Sequence, residues 1–311
     1  MTTQPLMKHR YEDIEVAQNY LATCLKEGTL SLALGAGVSA SMGLPSWVQL
    51  VNSCCKAVGI KKRYRKTQSN EVLLRAMNNV EDTVKKKATQ ENKNFSAEYH
   101  NLVRKSLYRK IKPSHMIAQQ PLLIAIGALI SGSTRGSVKE VITLNYDDIL
   151  EWYLEVYGLS SQVVSKLPVL KKNCDVLIHH LHGYVPFDNS KDSSLSFILL
   201  SKRSYDKYLA SERLNLQQIA LKDLLTSKVV LFIGLSGDDA TFGPIFTDVK
   251  NRTKKNNPHR GPLGVWLMGS DPDSGKTKEI REWGCAPVTL SHEKYPSFIF
   301  GICQKALKLQ I

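Results

Sequence analysis

The chain has 311 residues, of which 42% are hydrophobic and 23% are charged. This composition is typical of a globular protein with a substantial core and excludes a disordered chain. The longest apolar run, 121–130, is too short to span a bilayer, and the polar residues 1–13 do not resemble a signal peptide. We therefore expect a cytoplasmic protein without membrane contact. The six cysteines form no Cys-x-x-Cys pair, which predicts reduced, mostly buried thiols and no zinc site.

Charge is distributed unevenly along the chain. The formal net charge is +14, and residues 56–112 alone hold 16 Lys/Arg and five Asp/Glu, a net charge of +11. Such a stretch is either a solvated helical surface or a surface for an acidic partner, such as a nucleic acid or an acidic protein.

The chain is predicted to begin with a helix, a strand, a glycine turn and a second helix. Apolar residues at helical spacing predict a helix over 9–27 with Gly28 as its C-cap, and an apolar run predicts a strand over Leu30–Leu34. A glycine turn over Gly35–Ser39 follows, and then a helix over 47–58. This order is how α/β proteins present backbone N–H groups to a phosphate, although most glycine turns after strands are only turns.

Residues 57–137 are predicted to form a basic helical insertion within a single domain that spans 1–311. Lysine and arginine clusters at 61–66 and 85–87 lie among apolar residues at helical spacing. Pro113 ends this part, and the apolar run 121–130 predicts a buried helix. From here on, "the helical insertion" means residues 57–137.

Strands and helices are predicted to alternate in the second half of the chain. Predicted strands cover Val138–Leu144, Gln162–Leu167, Asp175–Leu181, Lys228–Ile233, Gly264–Met268 and Pro287–Leu290. Predicted helices begin at Ile149 and cover 204–226 and 293–309. The alternation predicts an α/β fold with a Rossmann-like, doubly wound parallel sheet and a helical subdomain.

Polar or glycine-rich stretches follow four of the predicted strands. They are Gly35–Ser39, Thr143–Asp148, His182-Gly183 and Gly234–Asp239. In parallel sheets, ligands bind at the carboxyl ends of the strands, so these stretches are expected to meet in one crevice.

Asn145, His182 and Asp147 are the candidate catalytic residues in that crevice. A histidine that follows a strand can accept a proton near neutral pH, or it can be a core residue bonded to backbone, as we expect for His179 and His180. Asn145 can hold a water or a carboxamide, or it can cap the next helix. Asp147 can orient a neighbour or stabilise a helix N-terminus.

Four short motifs, in this order along the chain, resemble those of the sirtuin family. They are Gly-Ala-Gly-Val-Ser at 35–39 with Gly-Leu-Pro at 43–45, Thr-Leu-Asn-Tyr-Asp at 143–147, His-Gly at 182–183 and Gly-Leu-Ser at 234–236. The resemblance implies a domain that binds NAD as its substrate. It implies that Gly35, Ala36, Gly37 and Ser39 cradle the pyrophosphate and that Trp47 lies near the nicotinamide. Contacts to phosphate or ribose are implied for Gly234, Ser236 and Asp239.

The chain departs from sirtuin deacylases in two places. Residues 184–230 contain no cysteine, although deacylases carry a four-cysteine zinc module there, and Ser46-Trp47 replaces an acidic and an aromatic residue. The motifs are more similar to sirtuin-like NAD hydrolases of bacterial antiphage defence.

This resemblance implies an NAD glycohydrolase that acts in abortive infection and is controlled by homo-oligomerisation or by a partner such as an ATPase. The alternatives are a catalytically silent subunit that binds a nucleotide or, through its basic insertion, a nucleic acid, and an NAD-dependent protein deacylase.

Overall fold

The computed structural model describes residues 9–111, 118–166, 169–188, 190, 198–210, 216–239, 242–257 and 260–309. Within them, seven strands form one parallel sheet in the order β3-β4-β2-β1-β5-β6-β7. The strands are β1 (Leu30–Leu34), β2 (Glu140–Thr143), β3 (Ser161–Val164), β4 (Val176–His180), β5 (Val229–Ile233), β6 (Gly264–Met268) and β7 (Ala286–Thr289). The predicted parallel α/β class is confirmed.

The same residues contain twelve α-helices. They are α1 (Ile14–Lys26), α2 (Ala36–Ala40), α3 (Trp47–Ala57), α4 (Asn70–Gln90), α5 (Phe95–Leu107), α6 (Pro121–Ile130), α7 (Ile149–Val156), α8 (Lys202–Leu209), α9 (Leu216–Ser227), α10 (Phe242–Asn256), α11 (Ser274–Glu282) and α12 (Tyr295–Lys308).

Both faces of the sheet are covered, which is why its central strands are continuous apolar runs. In β1, Leu32 and Leu34 face a hydrophobic cluster shared with α1, α6 and α12, whereas Ala33 faces a second cluster shared with α9 and α10. On this second face Phe232 of β5 stacks on Trp266 of β6, with their ring centroids 4.3 Å apart. The alternation places β1 in the middle of the core.

The chain reverses its direction of winding between β1 and β5. Strands β2, β4 and β3 lie on one side of β1, and β5, β6 and β7 lie on the other. A crevice opens at the carboxyl ends of two strands where such a reversal occurs, and ligands of doubly wound sheets bind there. The fold therefore places the first glycine turn and the turn after β5 side by side.

The helical insertion packs beside this crevice. Its helices α4 and α5 pack against each other and against α3, and α8 packs on α4. The last helix of the insertion, α6, packs on α12 and so belongs to the helical layer that covers the sheet.

Two expected elements differ in the structure. The stretch after β1 is not only a turn: Gly35 is extended and is the N-cap of the short helix α2, which Ala36–Ala40 form. The single helix expected over 204–226 is two helices, α8 and α9, and residues 211–215 between them lie outside the described residues. Leu167, expected to end the third strand, also lies outside them.

Two further expectations concern helix ends and thiols. The predicted C-cap is off by one residue: Glu27 is the C-cap of α1, and Gly28 follows it with a φ of 69°, the left-handed conformation in which a glycine commonly ends a helix. All six cysteines are free, and all but the half-buried Cys174 are buried, as predicted. No described helix is long and apolar enough to cross a membrane.

Candidate active site

A cavity of about 590 Å³ lies at the carboxyl edge of the sheet, where β1 and β5 meet. Ten of the eleven predicted site residues line it: Ala36, Gly37, Ser39, Trp47, Asn145, Asp147, His182, Gly234, Ser236 and Asp239. The eleventh, Gly35, lies directly behind this wall and accepts a hydrogen bond from Asn145. Residues of α4, α5 and α8 complete the opposite side of the cavity, so the helical insertion contributes to its wall.

The glycine turn after β1, Gly35–Ser39, is in direct backbone contact with the end of β5 and the turn that follows it. The N–H of Gly35 donates to the carbonyl of Ile233 at 2.9 Å, and the N–H of Gly37 donates to the carbonyl of Gly234 at 3.0 Å. A Cβ on Gly37 would lie 2.7 Å from the Cα of Gly234, closer than real side chains approach. These glycines are therefore required by the close approach of two chain segments, and two of the N–H groups expected to face a phosphate are bonded within the protein.

Asn145 is held so that it presents an acceptor to the cavity. Its Nδ2 donates to the backbone carbonyl of Gly35 at 3.1 Å and to Ser39 Oγ at 3.0 Å. A carbonyl can only accept, which fixes the orientation of the amide. Both Nδ2 hydrogens are thus used inside the protein, and Oδ1 is the group that Asn145 offers to a ligand.

Asp147 supports this arrangement from behind. Ser39 Oγ donates to Asp147 Oδ1 at 3.0 Å while it accepts from Asn145, so the three side chains form one relay. Burial raises the pKa of Asp147 to about 6, and the nearby Glu151 carboxylate acts in the same direction, whereas the hydrogen bond from Ser39 opposes both.

A buried ion pair anchors the backbone of Asn145. The Nδ1 atom of His180 lies 2.9 Å from the Asn145 carbonyl oxygen, and its Nε2 atom lies 2.5 Å from Glu151 Oε1. Both partners are acceptors, so the ring carries a proton on each nitrogen. Burial alone lowers the pKa of His180, but the charge and hydrogen bond of Glu151 outweigh it and raise that pKa. His180 was expected to be a core histidine bonded to backbone, and it also positions the site.

His182 meets two partners that the sequence did not pair with it. Its Nε2 atom lies 2.9 Å from Asp239 Oδ2 and 3.2 Å from the hydroxyl of Tyr205 on α8. Asp239 was expected to contact a ribose hydroxyl, and Tyr205 was not a candidate. No motif in the sequence marks Tyr205, because its place in the site depends on how α8 packs over the cavity.

The remaining predicted residues form parts of the wall. Trp47 is half-buried at the start of α3, and Ser236 is exposed on the turn after β5. In the described parts of the chain, no three or more His, Cys, Asp or Glu side chains are grouped so that they could hold a metal ion.

The charge of the cavity is opposite to that of the whole protein. Its described lining contains five carboxylates and one lysine: Glu71, Asp147, Asp206, Asp238, Asp239 and Lys202. Three of these carboxylates form ion pairs with Lys or Arg side chains, Glu71 with Arg75, Asp206 with Lys202 and Asp238 with Lys276, so only part of the negative charge is uncompensated. Carboxylates in a concave site favour transition states that carry positive charge.

Parts of the chain are similar to a known protein family and to a known enzyme. Residues 139–288 match the SIR2-like domain family. This part of the chain is therefore similar to SIR2-like domains. The matched range begins just before β2 and includes Asn145, His182 and Asp239, although it leaves out the first glycine turn. The sirtuin-like resemblance and the Rossmann-like fold that it implies are confirmed.

The chain is also similar to an NAD(+) hydrolase, ThsA of Enterococcus faecium. The two sequences are 22% identical over 251 residues, which cover 79% of this chain and 45% of that protein. The chain thus matches less than half of the relative's length.

Proposed function

We propose that this chain hydrolyses the bond between nicotinamide and ribose in NAD⁺, which releases nicotinamide and ADP-ribose. The observation that carries the proposal is the convergence of Asn145 Oδ1 and His182 on one acidic cavity of a chain that is similar to SIR2-like domains. The similarity to an NAD(+) hydrolase supports the choice of NAD⁺ as substrate.

The chemistry of this cleavage agrees with the charge of the cavity. As the bond between C1′ and the nicotinamide nitrogen breaks, its electron pair passes to the nitrogen and positive charge develops on the ribose, as in glycoside hydrolysis. The leaving group arrives as a cation and departs neutral, so no strong general acid is needed. The carboxylates around the cavity stabilise the cationic ribose, which raises the rate only to the extent that they act more strongly on the transition state than on bound NAD⁺.

Asn145 and His182 have separate tasks in this scheme. Asn145 Oδ1 accepts a hydrogen bond from the attacking water or from the carboxamide and so fixes its position. The water oxygen bonds to C1′, and His182 takes a proton from the water or from a ribose hydroxyl as a general base. Asp147 acts through Ser39 to hold the Asn145 amide in place.

Release of nicotinamide from NAD⁺ by the purified full chain tests the proposal directly. We expect His182→Ala and Asn145→Ala to lower the rate by about 10²- to 10⁴-fold, the usual cost of losing a positioned catalytic group. Exposed residues of the same types provide the controls His9→Ala and Asn79→Ala, which should match the wild type. Equal rates in wild type and both site variants would refute the assignment, and binding of NAD⁺ without any release would favour the silent nucleotide-binding alternative.

We also propose that the reaction serves a defence response and is restrained until the chain self-associates or meets a partner. An NAD⁺ hydrolase that was always active would deplete its own cell. The exposed lysines at 85–87 on α4 offer a surface for such control, because they lie in the most basic part of the chain and away from the sheet.

A further inference from the structure

Asp239, Tyr205 and His182 form a compact polar group in the wall of the cavity. The side chains of His182 and Asp239 are 8% and 7% exposed, respectively. The hydroxyl of Tyr205 lies 3.2 Å from His182 Nε2 and 3.4 Å from Asp239 Oδ2, so all three groups are within reach of one another. In the proposed mechanism His182 is the general base and Asp239 is one of the carboxylates around the cavity, whereas Tyr205 has no role.

Because the Asp239 carboxylate can only accept hydrogen bonds, the positions of the protons on His182 and Tyr205 can be assigned. Burial keeps the pKa of Tyr205 well above its usual value, so its hydroxyl stays protonated and donates. A carboxylate at 2.9 Å from Nε2 requires a proton between the two atoms, because a nitrogen lone pair facing a carboxylate would be repelled. Asp239 Oδ2 therefore accepts from both the ring and the phenol, and the electron pair of the neutral ring is on Nδ1.

We propose that Asp239 and Tyr205 are positioning residues for His182. Asp239 holds the ring in the tautomer with its proton on Nε2 and stabilises the imidazolium that forms when the ring takes a second proton. Tyr205 holds the Asp239 carboxylate in place. The same division of tasks operates wherever a buried aspartate supports a histidine base. This inference rests on the proposed function, since it assigns partners to its general base.

The helical insertion supports this arrangement through its contact with α8. On α8, Arg203 forms a two-point ion pair with Asp82 of α4 at 2.8 and 3.1 Å, and its backbone N–H donates to Asn78 Oδ1 at 3.0 Å. Both ion-pair side chains are more than half exposed, so the pair contributes little to stability. The packing of α8 on α4, to which this pair belongs, determines where the hydroxyl of Tyr205 meets His182.

Steady-state kinetics of nicotinamide release separates this role from ribose binding. We expect kcat to fall on the order of 10³-fold in Asp239→Asn and about 10-fold in Tyr205→Phe, with KM changed by less than about threefold. Tyr157→Phe, at the end of α7, and Asp248→Asn, on α10, remove the same groups outside the cavity lining and should match the wild type. An increase in KM with unchanged kcat would overturn the inference and assign Asp239 to the substrate, as would wild-type kcat in Tyr205→Phe.

Nitrogen NMR of the histidine rings in the full chain gives a second test that does not need turnover. The His182 signals are identified by their loss in His182→Gln. At a pH where the ring is neutral, we expect the Nε2–H tautomer in the wild type and a mixture of tautomers in Asp239→Asn. An Nδ1–H ring in the wild type, or no change in Asp239→Asn, would refute the inference. If no variant or wild type releases nicotinamide, the proposed function fails, and the ring spectra still decide whether Asp239 and Tyr205 set the proton on His182.

Discussion

The free energy of unfolding should fall as the pH rises from about 4 to 6, because the buried carboxyl of Asp147 keeps its proton in this range. Its pKa rises from 3.8 to about 6 on folding, chiefly because burial disfavours the carboxylate. The folded protein therefore keeps a proton that the unfolded chain releases. Stabilisation from this proton is complete below pH 3.8 and is lost as the pH passes through 6. Two pH units at about 1.4 kcal/mol each give a loss of about 3 kcal/mol.

Asp147→Asn isolates this contribution. The amide oxygen can still accept the hydrogen bond from Ser39, but the side chain no longer titrates. Urea unfolding of both proteins at about pH 4 and pH 7 gives the difference between their unfolding free energies, in which other titrating groups cancel. We expect the Asp147→Asn variant to gain about 3 kcal/mol of stability relative to the wild type between the lower and the higher pH.

Asp175 provides a control in which the change of stability with pH has the opposite sign. Hydrogen bonds from Ser160 lower the pKa of the half-buried Asp175, so its stabilisation is present above 3.8 and is lost at lower pH. Asp175→Asn should therefore lose stability relative to the wild type as the pH rises towards 3.8, and should show no further relative change between about pH 4 and pH 7. If the difference in unfolding free energy between Asp147→Asn and the wild type stayed constant between about pH 4 and pH 7, Asp147 would not be a buried carboxyl with a raised pKa. The relay through Ser39 would then be refuted as well.

Two further predictions test the glycine contact and the basic surface. Gly37→Ala should lower stability by about 1–3 kcal/mol, because its Cβ meets the backbone of Gly234. Gly132→Ala, where the added Cβ meets nothing within 4 Å, is the control, and equal thermal midpoints would contradict the close approach. Replacement of the three lysines at 85–87 by glutamate should leave the thermal midpoint unchanged and lower the mass found by light scattering. A monomeric, fully active wild type would contradict control by self-association.

Most of the sheet could be predicted from the sequence because its inner strands are buried on both faces. Lys228–Ile233 was predicted as a strand from its apolar run, and the structure has β5 at Val229–Ile233. Helices with little apolar surface could not be found in this way. In α11 Ile280 is the buried residue, so this helix gives no helical hydrophobic pattern. By contrast, α10 buries Phe242, Ile245, Phe246 and Val249, which do have helical spacing, so its pattern was present in the sequence and was not used. The break between α8 and α9 also has no glycine or proline to mark it.

The candidate site was predictable where it depends on strand ends and unpredictable where it depends on packing between elements. Asn145 and His182 follow β2 and β4, so a parallel sheet brings them to one edge. The pairing of Asp239 with His182 depends on the path of the turn after β5. The contact of Tyr205 depends on the packing of α8 against α4, which has no signature at the level of residue spacing.

The motif of the glycine turn is typical of phosphate binding, but in the structure its glycines are required by a backbone contact. Gly37 and Gly234 are required by the contact between two backbone segments, and this requirement holds whether or not a dinucleotide binds. The N–H of Gly35 is already bonded to the last residue of β5 and that of Gly37 to the residue after it, so neither can also be a main donor to a phosphate. What ties the turn to function is the Gly35 carbonyl, which orients the amide of Asn145. The case for NAD⁺ cleavage therefore depends on Asn145 and His182, and the glycines contribute by holding Asn145 in position.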